Sequence, residues 1–143
     1  MNKLPAFFLL LISASFISFS KAEPESVESS VLTPDETIIG SELIEFPNES
    51  RIYPNISDFK LLSSIKMSNL KGERWATITV RNEAHGKRTL TQDHILALFA
   101  DGSRNFPLSF EQEFKSQQTI SLLVNFGVNK FPILKITTRN RNN

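Results

Sequence analysis

Two histidines, His85 and His94, are the most reactive side chains in this cysteine-free chain of 143 residues. With Asp93 they contain the donor types of a metal site, which needs three or four converging ligands. Their alternative is a loop histidine and a strand-edge histidine that only titrate. Glu111 and Glu113 have the residue types of a glycosidase carboxylate pair. Two acids two positions apart in a polar stretch are equally a solvated surface. Serines are plentiful, but none sits in a Gly-x-Ser-x-Gly elbow beside a His. The five glycines are scattered and form no phosphate-binding loop. No cofactor is expected. The remaining chemistry is charge. Arg81, Lys87 and Arg88, with Asp101 and Arg104 farther along, are expected at one end of the domain, where a basic cluster would meet an anionic partner.

These residues must be held by extended segments. The stretch His94 to Leu108 (HILALFADGSRNFPL) places Asp101-Gly102 between apolar runs, a hairpin signal because Gly accepts positive φ without steric cost. Leu96 and Leu98 face one side of that strand, and Ile95, Ala97 and Phe99 the other. Apolar character on both faces suits a central strand. A competing helix would start at Thr91 as its cap, run through Ala100 and stop at Gly102.

The neighbours favour strands. Trp75 to Arg81 (WATITVR) sets Ala76, Ile78 and Val80 against Trp75, Thr77 and Thr79. Trp75 is read as a core residue, with an exposed interface anchor as its alternative. Phe59, Leu61, Ile65 and Met67 alternate, which predicts one buried face. Ile120, Leu122, Val124 and Phe126 do the same in TISLLVNF, and Pro132 to Thr138 points Leu134 and Ile136 inward. Thr37 to Phe46 reads as a first strand broken at Gly40. Asn82 to Thr91 reads as a polar connection. Ser109 to Gln118 stays open between a helical turn and a loop, since Phe106, Phe110 and Phe114 are four apart. About seven strands with turns at roughly ten-residue spacing predict an all-β fold, a single antiparallel immunoglobulin-like sandwich over 37–138.

The chain opens with Lys3, an apolar run from Leu4 to Phe19, and Ser20-Lys21-Ala22. That is the layout of a secretory signal peptide cleaved after Ala22. The run is shorter than the roughly 20 residues of a spanning helix, so no transmembrane span is expected in the mature chain. Residues 23–36 carry five acids and no base and read as an acidic disordered leader. Residues 139–143 read as a frayed polar tail. Cleavage changes the formal charge from +1 to −1 by removing Lys3 and Lys21, a balance that does not point to nucleic acid. An exported chain without cysteine fits a bacterial periplasm or cell surface. There the Asn48-Glu49-Ser50 and Asn55-Ile56-Ser57 matches to a glycosylation acceptor would be accidental.

The segment from Trp75 to Thr138 resembles the telokin-like, immunoglobulin-fold secreted domains of bacteria. The matching pieces are Ile78 to Asn82, Leu96 to Gly102, Phe106, and Leu122 to Phe126. The family's Pro-Gly or Gly before the last long strand is here Ser116-Gln117-Gln118. The resemblance implies a sandwich with a binding or envelope role. The expected function is therefore a non-enzymatic exported module that contacts an envelope protein or polymer through Arg81, Lys87, Arg88, Asp101 and Arg104. The alternatives are a small-ligand or metal carrier using His85, Asp93 and His94, and an enzyme whose site carries no recognisable motif.

Overall fold

The longest runs of branched and alternating side chains become the three longest strands. In the computed structural model, which describes residues 27–35, 46 and 52–141, these are β3 (Phe59–Ser68), β4 (Glu73–Asn82) and β9 (Thr119–Val128). They pair antiparallel with β4 in the centre, and β1 (Thr33–Pro34) adds a short edge beyond β3. A second sheet has the order β10–β6–β7, from β6 (Leu96–Phe99), β7 (Arg104–Asn105) and β10 (Ile133–Thr137). β5 (Arg88–Thr91) pairs with β8 (Glu111–Phe114), and β2 (Ile56–Ser57) with β11 (Arg139–Asn140), the latter parallel. The fold is all-β and sandwich-like. Ala76, Ile78, Val80 and Val124 from the four-stranded sheet pack against Leu90, Ile95, Ala97, Phe99, Phe114 and Ile136.

The expected hairpin is present. β6 and β7 pair antiparallel around Ala100–Ser103, with the Phe99 N–H donating to the Ser103 carbonyl at 2.9 Å. The helical signal at Thr91 survives only as one 3-10 turn, Gln92–His94. It ends at Ile95, which is extended and wholly buried in the core. The strand-forming neighbours take the chain from there.

Four segments differ from the sequence expectation. The ambiguous run after Ser109 is strand β8. Its partner β5 lies in what reads as a polar connection, because Leu90 and Phe114 are core anchors that each pull one short strand inward. In β3 a bulge at Leu62 reverses the alternation. Phe59 and Leu61 keep the core face, while Ile65 falls opposite Thr77 on the outer face and is 55% exposed. In β10 Leu134 and Ile136 are buried as expected, but a bulge at Leu134 also brings Ile133 into the core cluster, three positions from Ile136. Trp75 lies outside the core: it is half-buried on the outer face, opposite Met67, and its enclosed Nε1 meets no acceptor among the described residues.

Both ends of the described chain are more ordered than composition suggests. Within the acidic segment, β1 pairs with β3, and the Ser68 hydroxyl donates to Asp35 Oδ1. At the other end, Asn140 is buried and donates to Glu83 Oε2 at 2.9 Å, while the Arg141 N–H donates to the Ser57 carbonyl. A polar tail docks here because its buried amide finds a half-buried carboxylate partner. The expected signal segment, 1–22, and the first expected strand lie outside the described residues, apart from Phe46.

Candidate functional site

β6 presents two different faces. Ala97 and Phe99 turn into the core; Leu96 and Leu98 turn the other way. Pairing carries that second face sideways: Thr137 lies opposite Leu96, Lys135 opposite Leu98, and Arg104 of β7 opposite Leu98 on the other flank. The result is a groove of about 390 Å³ floored by Leu96 and Leu98. One wall is Ile52–Tyr53–Pro54 and another is Thr138–Arg139. The first wall is held by the Asn55 N–H, which donates to the Asp93 carbonyl at 2.8 Å, and the second by β11 pairing with β2. The Arg139 guanidinium stands 6.0 Å from the Tyr53 ring centroid, within cation–π range.

Among the described residues the lining carries three cations, Arg104, Lys135 and Arg139, and no carboxylate. A concave site with an apolar floor and one sign of charge binds amphipathic groups of the opposite sign.

The five residues expected to form one basic end are divided between two. Arg81, Lys87 and Arg88 gather near the end of β4 that Asn82 marks. Arg81 Nη2 donates to Gln117 Oε1 at 3.0 Å, Lys87 pairs with Glu113 at 2.5 Å, and Arg88 Nε donates to Asp58 Oδ2 at 2.7 Å. The Arg88 hydrogen bond, with Arg141 nearby, holds the Asp58 carboxyl below its ordinary range against some desolvation. Asp101 and Arg104 belong to the opposite end. The Ala100 N–H donates to the Pro132 carbonyl, and the nearby Asn129 N–H donates to Gly72 at the β3–β4 turn. Ten residues of β4 separate the two groups, about 30 Å at the rise of a strand. Asp101 itself serves the turn: it accepts from the Ser103 N–H and hydroxyl, bonds that lower its pKa. Of the five, only Arg104 lines the groove.

The histidine constellation does not assemble. Among the described residues no three His, Asp or Glu side chains group as a metal site would require. His94 Nδ1 accepts from the Thr91 N–H at 3.1 Å, and its ring packs 5.7 Å from Phe59. Burial lowers its pKa, with Asp93 opposing. His85 is exposed on the loop after β4.

Sequence reasoning missed Lys135, Arg139 and Tyr53 because register and a parallel strand pair bring them together from distant positions. One signal did exist: the apolar second face of β6, where Leu98 is half-buried as floor. No family model matches the chain, and no curated protein or solved structure is similar to it.

Proposed function

We propose that this protein is an exported, non-enzymatic binding module that grips an anionic, partly apolar segment of an envelope protein or polymer. The groove over Leu96 and Leu98, rimmed among the described residues by Arg104, Lys135 and Arg139 and by no carboxylate, carries this reading. The apolar floor supplies area, and the cations supply orientation and on-rate. Export rests on the layout of residues 1–22, and the intact mass of the secreted protein tests it. An immunoglobulin-like, telokin-like sandwich is the finer fold assignment, supported by the antiparallel order of the long strands and the hairpin at Asp101-Gly102.

The test is a photo-reactive residue in place of Leu98, activated in cells of the source bacterium. An envelope component should cross-link, and the band should vanish with the double charge reversal Arg104→Glu, Lys135→Glu. A cross-linking pattern indifferent to that reversal rejects the groove. The volume also lies within the range of small-ligand pockets, which favours a second reading as a carrier of a small amphipathic anion. Native mass spectrometry of the freshly purified protein separates the two, because only the carrier arrives with a small bound mass.

A further inference from the structure

Among the described residues β9 is a ten-residue edge strand. Two hydrogen bonds fix which of its groups face outward. The Asn82 N–H donates to the Gln118 carbonyl at 2.9 Å, so even-numbered positions turn toward β4. The Leu108 N–H donates to the Asn125 carbonyl at 2.7 Å on the far side, so odd-numbered positions turn away. Antiparallel pairing with β4 runs without a register shift from Thr119 to Asn125, so the phase holds between those two markers. The N–H and C=O groups of Thr119, Ser121 and Leu123 therefore line an edge with no backbone partner among the described residues.

Edges of this kind are normally guarded by lysine, proline, a bulge or a covering loop. The stretch Thr119 to Phe126 (TISLLVNF) contains no charge, no proline and no glycine. Among the described residues the guards stand at its two ends. Leu108 closes the Asn125 end, and the turn through Gln117, at φ 56°, closes the other. Between them Ile120 and Leu122 pack on the core yet remain only half-buried, and Leu123 is 55% exposed on the outer face.

We infer that β9 pairs antiparallel with β9 of a second copy of this chain, joining the two four-stranded sheets into one. The strand is self-complementary about a two-fold axis through Ser121. In that register Ser121 faces Ser121 of the other copy and Thr119 faces Leu123, so three outward positions on each side exchange six hydrogen bonds. Ile120 of each copy then lies opposite Leu122 of the other, which covers their exposed sides. Continuing the register sets Gln117 opposite Asn125 and Lys115 opposite Gly127, so no like charges meet. A neutral strand pairs with itself without like-charge repulsion.

The chain's lack of cysteine makes the test direct. Opposed residues of a hydrogen-bonded antiparallel pair lie about 5.5 Å apart at Cα, within disulfide range. Full-length Ser121→Cys should therefore oxidise to a covalent dimer. Thr119→Cys and Leu123→Cys should each stay monomeric alone and cross-link when mixed. In the unaltered chain, exchange at the Ser121 and Leu123 amides should slow on the order of tenfold from dilute to concentrated solution. Leu123→Lys, an exposed substitution outside the core, should abolish that slowing while the far-ultraviolet spectrum stays unchanged. A Ser121→Cys variant that remains monomeric under oxidation overturns the inference. So does cross-linking of Thr119→Cys alone as efficient as that of Ser121→Cys, or a sedimentation coefficient independent of concentration.

Discussion

Asn82 is the residue whose loss should be felt most widely. It is fully buried at the end of β4. Its Nδ2 donates to the Gly86 and Lys115 carbonyls at 2.9 and 2.8 Å, and its Oδ1 accepts from the Ala84 N–H at 3.0 Å. One amide thus ties the loop after β4 to the turn that leads into β9. Each neutral bond contributes about 1 kcal/mol net, so Asn82→Ala should cost roughly 3 kcal/mol. For a domain near this size that is a fall in Tm of about 12–24 °C. Asn82→Asp separates the hydrogen bonds from the volume. A carboxylate there faces two carbonyl oxygens and cannot donate, so burial and repulsion raise its folded pKa above the unfolded value near 3.9. The penalty is then small below that pH, where both states are protonated, and grows as pH rises. Urea unfolding followed by Trp75 emission and far-ultraviolet dichroism, at pH 3.5 and 7, measures both effects. A loss under about 1 kcal/mol for Asn82→Ala, or a pH-independent one for Asn82→Asp, refutes the bridging role.

Two further outcomes are expected. Gly102 holds φ 85°, and a Cβ there would lie 2.9 Å from Phe46 Cγ, so Gly102→Ala should cost at least about 1–2 kcal/mol in left-handed strain plus the clash. The same substitution in a Phe46→Ala background should keep the strain and lose the rest, which a double-mutant cycle by urea unfolding reads directly. Asp58, held low first by its hydrogen bond from Arg88, stabilises the fold above its unfolded pKa, and that stability is lost as pH falls through the lower folded value. Arg88→Met should flatten this acid limb of the stability profile; an unaltered limb would assign it to other carboxylates.

Much of the architecture is written locally. Ala76, Ile78 and Val80 bury because their strand alternates, Val124 and Phe126 for the same reason, and Asp101-Gly102 turns the chain because only glycine takes that φ at no cost. Thr91 does start a helical turn, but Ile95 has a core site to fill, and its burial outweighs continuing the turn. Gln117 shows the limit of motif reading: a non-glycine occupies a left-handed position because its own side chain donates to the Glu83 and Ala84 carbonyls, partners remote in sequence.

Composition and alternation were thus sufficient for an all-β chain, its long strands and its central hairpin, since these depend on neighbours along the backbone. Where the alternation slips at Leu62 and Leu134, which pole each cation occupies, and what Lys135, Arg139 and Tyr53 surround were decided only when the sheets paired. Register is a property of two strands together. A one-residue bulge sends every later side chain to the opposite face, and no single strand carries that information.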